Sequence, residues 1–275
     1  MNLYLNVMKR YPTVLTIAGS DSGGGAGIQA DIKAICATGS YAESAITAVT
    51  VQNTLGVEAV HPVPVEFISG QIRSVLSDIG ADAVKIGMLH GVDVIRAVRS
   101  SLESFSIENI VLDPVMVSTS GHRLIEENAI QVLSRELIPL ARVITPNIPE
   151  AEVLSGEKIS GPEDFAGIAI KLSCGGKVSV LMKAGHLEGP DVADLFYNAE
   201  THSFLELHSE RVATVNTHGT GCTLSSALAS YIAQGYSLDD AVRAAKDYIT
   251  QALVSGAGYT VGHGHGPVNH FFKLN

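Results

Sequence analysis

Four short stretches carry residue types suited to binding an anion or a hydrated cation. In "VNTHGTGCTLSSALAS" the small residues Gly219, Thr220 and Gly221 lead into an Ala/Ser-rich run. A helix starting there leaves unpaired backbone N–H groups at the positive end of its dipole, which makes an anion hole. Cys222 falls in the first turn of that helix, where the expected effect is a lowered thiol pKa and an accessible thiolate. A small buried cysteine in a tight glycine contact is the competing reading. "LDPVM" ends an apolar run with Asp113, and Pro114 stops a helix from following at once. "TPNIPEAEVL" sets Asn147 in a turn, Pro149 in the first turn of a helix and Glu150 near that N-terminus. "LMKAGHL" brings Lys183 and Gly185 to the end of another apolar run. Two carboxylates, an amide and a lysine at neighbouring strand ends suit hydrated Mg²⁺ and a polyphosphate, because Mg²⁺ takes few protein carboxylates and keeps waters and phosphate oxygens. Taken singly, Asp113 and Glu150 also fit ordinary turn and helix-capping roles.

The stretch "GSDSGGGAGIQAD", residues 19–31, directly follows a short apolar run. Glycines there imply that backbone must come close to something. No Gly-Lys-Ser/Thr ending occurs in the chain, so the loop is not a Walker phosphate loop. Residues 25–30 formally match the dinucleotide fingerprint, with Glu43 near the position of the ribose acid. In that fingerprint the first glycine turns straight off the strand, whereas here residues 20–24 intervene.

These segments need a scaffold that brings strand ends together. Short β-branched runs alternate with amphipathic or Ala-rich segments, which predicts an α/β fold with a mostly parallel central sheet and helices on both faces. Strands are expected at 14–18, 45–51, 83–86, 110–113, 143–145 and 178–182. Helices are expected at 27–38, 65–79, 92–102, 127–137, 149–154, 162–173, 220–234 and 238–255. Two alternating segments around "NAET" predict an antiparallel hairpin late in the sheet. Ligands of open α/β sheets sit beyond the carboxyl ends of the strands, where Asp113, Asn147 and Lys183 fall.

At 275 residues the chain fits one large domain, and no repeat or linker marks a boundary. A net charge of -10 argues against a nucleic-acid or anionic-membrane surface. Three scattered cysteines support neither a disulfide framework nor a Cys-x-x-Cys metal site, which points to a reducing cytoplasm. "MNLYLNVMKR" is too short and polar-flanked for a signal peptide, and no stretch of about 18 apolar residues is present. The expectation is a soluble protein that is not exported.

"TIAGSDSGGGAGIQADIKA", "TAVTVQNTLGV", "KIGMLH", "VLDPVM", "ITPNIPEA", "LMKAGH", "NTHGTGCTLSSALA" and "GHGHGPVNHF" occur in this order along nearly the whole chain. Together they resemble the hydroxymethylpyrimidine/phosphomethylpyrimidine kinases of thiamin biosynthesis, within the ribokinase-like superfamily. The resemblance implies a single-domain ribokinase-like fold over residues 12–275 after an N-terminal extension, 1–11, to which no role is assigned. It also implies an ATP- and Mg²⁺-dependent enzyme, cytoplasmic and homodimeric, that phosphorylates a pyrimidine alcohol and then its monophosphate. By that resemblance Gln52 contacts the pyrimidine, with Gly19 and Asp31 as neighbours and Met88 and Val115 as apolar walls. Asn147, Lys183 and Thr217 serve the nucleotide, Asp113 and Glu150 the magnesium, and Gly219, Thr220, Gly221 and Cys222 the catalytic step. Ribokinase-like enzymes more generally carry an aspartate where this chain has Cys222. Chemistry supports Gln52 separately, because an amide complements the donor–acceptor edge of a 4-aminopyrimidine, as it does adenine. The runner-up readings are a pyridoxal kinase, whose phenolic oxygen would lose that pairing, and a non-catalytic pyrimidine sensor. His263 and His265 lie in a glycine-rich tail without further spaced ligands, so no structural zinc is expected.

Overall fold

In the computed structural model, residues 10–117, 121, 123–185 and 191–274 are described. Most of the proposed extension, residues 1–9, lies outside them. Nine strands form one sheet: β1 Thr13–Ser20, β2 Tyr41–Asn53, β3 Gly56–Pro62, β4 Ala83–Ile86, β5 Ile110–Leu112, β6 Val143–Ile144, β7 Ser179–Met182, β8 Asp191–Asn198 and β9 Ser203–Glu210. Their order is β3-β2-β1-β4-β5-β6-β7-β8-β9. Pairing is parallel from β2 through β7 and antiparallel at β2–β3, β7–β8 and β8–β9.

The central strands are mostly apolar, with Lys85 in β4 and Thr16 in β1 as buried exceptions, because helices cover both of their faces. Alternate residues divide between two cores. Leu15, Ile17, Val84, Ile86, Ile110 and Leu112 pack with α2 Val65–Asp78 and α3 Val92–Ser104, while Val14, Ala83 and Val111 face the opposite layer. That opposite layer holds α1 Gly27–Ala37 and later the helices Thr220–Ala233 and Leu238–Gly256. The chain passes from β1 to β2 on one side and returns to β4 on the other. The crevice of this strand-order reversal therefore opens at the end of β1, where the glycine run begins.

The late hairpin is β8–β9, and the parallel core matches the expected strands to within a few residues. β3 is a difference. None of its residues is fully buried, so it lacks the apolar–polar contrast that marks a strand, and its turn at residues 54–55 reads as loop. The expected helix 127–137 is also divided. α4 Glu127–Val132 passes into a π-helical turn, Leu133–Leu137, and a 3₁₀ turn, Ile138–Leu140, where Pro139 cannot donate to a regular helix. Beyond it lie α5 Ile148–Ser155, a 3₁₀ turn at Pro162–Asp164 and α6 Phe165–Leu172; α7 Thr220–Ala233, α8 Leu238–Gly256 and a 3₁₀ turn at Phe272–Leu274 follow.

Candidate active site

The carboxyl ends of β1, β4, β5, β6 and β7 open into a cavity of about 680 Å³. Gly19, Gln52, Met88 and Val115 border one part of it, and Asp113, Asn147, Glu150 and Lys183 another. Thr217, Gly219, Thr220, Gly221 and Cys222 border it from α7. Asp31 does not. The expected neighbour of the substrate lies one layer behind the wall, fully buried, with its carboxylate taken by Lys85 Nζ at 2.8 and 2.9 Å, Thr16 Oγ1 at 2.6 Å and Ser226 Oγ at 2.8 Å.

Two glycine loops build the mouth of α7. Gly219 caps the helix in a left-handed conformation, φ 79°, and a Cβ there would run into the carbonyl oxygen of Gly25. The glycine run after β1 is thus pressed against the second loop itself. At Gly221 a Cβ would sit 3.3 Å from Lys183 Nζ and 3.5 Å from Asp113 Oδ2, so the missing side chain lets the first turn reach these charges. Thr223 N donates to Gly219 O at 2.9 Å, while the N–H groups of Gly221 and Cys222, earlier in the turn, have no acceptor within the helix.

Asp113 accepts from Lys183 Nζ at 2.8 Å and from Thr145 Oγ1 at 3.0 Å. Burial opposes its charge, but Lys183 and Lys85, with the Lys183 and Thr145 hydrogen bonds, hold the carboxyl below its usual range. Glu150 and Asn147 form a capping box at the start of α5: Asn147 N donates to Glu150 Oε2 at 2.8 Å, and Glu150 N to Asn147 Oδ1 at 2.9 Å. Burial pushes Glu150 up to about 7, with Lys183 opposing the shift and Asp113 reinforcing it. Lys183 Nζ stands 3.9 Å from Glu150 Oε2, between the two carboxylates.

The thiol of Cys222 overturns one expectation. Although it borders the cavity at the head of a helix, burial pushes it up to about 11; Lys85 works against this, and Asp31 and Asp113 add to it. Desolvation by the surrounding protein outweighs the helix N-terminus. Cys222 is a neutral thiol at pH 7.

Lys85, Asp21 and His218 also border the cavity, at positions where no role is expected from the sequence. A lysine inside the apolar strand "AVKI" was a usable signal, since a buried ammonium requires a counterion. Asp21 and His218 sit inside the two quoted glycine motifs. Farther along the wall, Asp194 accepts from Ala184 N and Lys246 Nζ, both at 2.7 Å, tying the turn after Lys183 to α8.

The family model described as phosphomethylpyrimidine kinase matches residues 21–269. A probable chloroplastic thiamine biosynthetic bifunctional enzyme of Oryza sativa subsp. japonica is 48% identical over 96% of this chain and 48% of its own length. The chain therefore spans about half the length of the bifunctional relatives. A hydroxymethylpyrimidine/phosphomethylpyrimidine kinase of Rhizobium meliloti is 46% identical over 94% of this chain and 97% of its own. An ADP complex of Bacillus subtilis pyridoxal kinase superposes with a TM-score of 0.88 at 35% identity, covering 97% of this chain and 100% of that one. The nine-stranded architecture is ribokinase-like, and the chain belongs to the phosphomethylpyrimidine kinase family.

Proposed function

We propose that this protein transfers a phosphoryl group from ATP to 4-amino-5-hydroxymethyl-2-methylpyrimidine, and then to the resulting monophosphate, in thiamin biosynthesis. The observation that carries the reading is that Gln52 and the Gly219, Thr220, Gly221 and Cys222 turn border one cavity, so a ring and an anion hole share a single site. Gln52 pairs with the aminopyrimidine edge, while Met88 and Val115 flank the ring. The first-turn N–H groups of α7 receive charge on the transferred phosphoryl group. Lys183, Asn147 and Thr217 hold the nucleotide phosphates, and Cys222 faces the attacking hydroxyl. Asp113 and Glu150 fit a magnesium site by donor chemistry, since both carboxylates border the cavity and Asp113 is held ionised. When bound, magnesium would neutralise charge on the polyphosphate, with water and phosphate oxygens completing its shell.

The same reading takes residues 12–275 as one kinase domain after the short extension. Free Cys36, Cys174 and Cys222 accord with a reducing cytoplasm. Val49, Val51 and Leu55, exposed on the β2–β3 arm, are surface that a second copy could cover in a homodimer.

Pyridoxal kinase is the second reading, favoured by the superposition on the Bacillus subtilis enzyme. ADP release measured separately with the pyrimidine alcohol, its monophosphate and pyridoxal decides between them. Turnover of both pyrimidines at higher kcat/KM than pyridoxal is the expected result. A preference for pyridoxal would reverse the assignment, and no ADP release with any of the three would remove the kinase reading.

A further inference from the structure

Asp21, at the end of β1, is held by three backbone N–H groups: Gly23 donates to Oδ1 at 2.8 Å, and Gly25 and Ala26 donate to Oδ2 at 3.0 and 2.8 Å. Burial disfavours its charge, but the His218 hydrogen bond and the backbone donors keep the carboxyl below its usual range. His218 Nε2 lies 2.9 Å from Asp21 Oδ2. A carboxylate only accepts, so Nε2 carries a proton and donates it. The ring is seated against Gly25, where any Cβ would strike the imidazole.

The same Nε2 lies 3.3 Å from the terminal nitrogen of Gln52. An imidazole N–H cannot donate to an amide nitrogen, which has no available lone pair. On the other side, Gln52 Oε1 stands 3.1 Å from Thr50 Oγ1, whose single proton goes to the Ser20 carbonyl at 2.7 Å. That contact sets oxygen against oxygen. Turning the amide through 180° makes both contacts donor–acceptor pairs: the single Nε2 proton of His218 is shared between Asp21 Oδ2 and the Gln52 oxygen, and the Gln52 NH₂ donates to Thr50. Oxygen and NH₂ are nearly equal in size, so the turn displaces no neighbour.

We infer that Asp21 and His218 form a specificity relay that locks the polarity of the Gln52 amide and thereby selects the hydrogen-bond pattern of the ring this cavity accepts. The inference rests on the reading of the cavity as a pyrimidine site. An amide free to turn pairs equally with a ring edge carrying an amino donor beside a nitrogen acceptor and with its oxo counterpart, which carries an acceptor beside an N–H donor. A locked amide pairs with one of them. His218 is a positioning residue, and its effect falls on discrimination.

The test compares kcat/KM for 4-amino-5-hydroxymethyl-2-methylpyrimidine and its 4-oxo analogue in wild type, His218→Phe and His218→Gln. Wild type should prefer the amino ring by about 10- to 100-fold, the scale of one bidentate pair. His218→Phe should shrink that ratio to within about threefold. His218→Gln, whose NH₂ can donate to both Asp21 and Gln52, should keep most of it. A His218→Phe variant that loses the same factor on both rings, with the ratio intact, would show a packing role and overturn the relay. Should that variant not fold, the ¹⁵N spectrum of histidine-labelled wild type reads the tautomer directly: a proton on His218 Nε2 is required, and a bare Nε2 overturns the inference. Wild type that turns over neither ring would instead bring down the pyrimidine reading, and the relay with it.

Discussion

Lys85 Nζ lies 2.8 and 2.9 Å from the two carboxylate oxygens of Asp31, and neither side chain is exposed to solvent. The pair joins β4 to α1, with Lys85 at the cavity wall and Asp31 behind it, 54 residues apart in sequence. Removing one member of such a pair leaves a buried charge uncompensated, whereas replacing both by apolar residues is often tolerated. Lys85→Met should cost about 3–5 kcal/mol in urea unfolding. Lys85→Met combined with Asp31→Asn, which removes the charge and keeps an acceptor for Thr16 and Ser226, should recover most of that loss, and a double variant no more stable than the single one would refute the account.

Glu43 predicts a pH dependence. It is buried on β2, and neither carboxylate oxygen has a hydrogen-bond partner among the described residues. Burial pushes its pKa up to about 7, with Asp82 adding to the shift and Arg10 opposing it. A carboxyl whose folded pKa lies above its unfolded value contributes stability that is complete below the unfolded value of 4.5 and is lost as pH rises through about 7. At pH 8, Glu43→Gln should therefore be more stable than wild type by about 1–3 kcal/mol, and the gap should close toward pH 4.5. Parallel stability curves for the two proteins across this range would contradict it.

Asp113→Asn probes the magnesium assignment. The substitution removes the carboxylate that is held ionised and leaves Lys183 with Glu150 at 3.9 Å. The magnesium concentration for half-maximal turnover should rise about tenfold or more, an energy of roughly 1.4 kcal/mol. Loss of the Lys183 contact should also lower ligand-free stability by about 1–3 kcal/mol. An unchanged magnesium titration with reduced stability would leave Asp113 as a structural partner of Lys183 only.

Cys222 distinguishes the two proposed phosphorylations. An alcohol must lose a proton as it attacks, whereas a phosphate monoester is already mostly ionised near neutral pH. With the thiol pushed up to about 11, the thiolate fraction grows about tenfold per pH unit across pH 7–9. Single-turnover rates starting from the alcohol should rise with pH in that window, and those starting from the monophosphate should stay nearly flat. Cys222→Ser should flatten the first profile and slow that step more than the second. Similar losses in both steps would mean that Cys222 shapes the loop and takes no proton.

The layout was legible in the residues alone. Strands buried on both faces are predominantly apolar, so β1, β4, β5, β6 and β7 are legible without neighbours. Residues just beyond their ends, and the small residues opening α7, could therefore be placed at one crevice. β3 escaped because an exposed strand carries no such pattern. What each polar group faces depends on contacts between segments far apart in the chain. Asp21 meets His218 across 197 residues, and Asp31 turns away from the cavity toward Lys85, because a buried charge must be neutralised by whatever the fold brings beside it. The Cys222 thiol gives the same lesson. Its place at a helix N-terminus is local and favours the thiolate, but desolvation depends on every segment packed around it, and here desolvation is the larger effect.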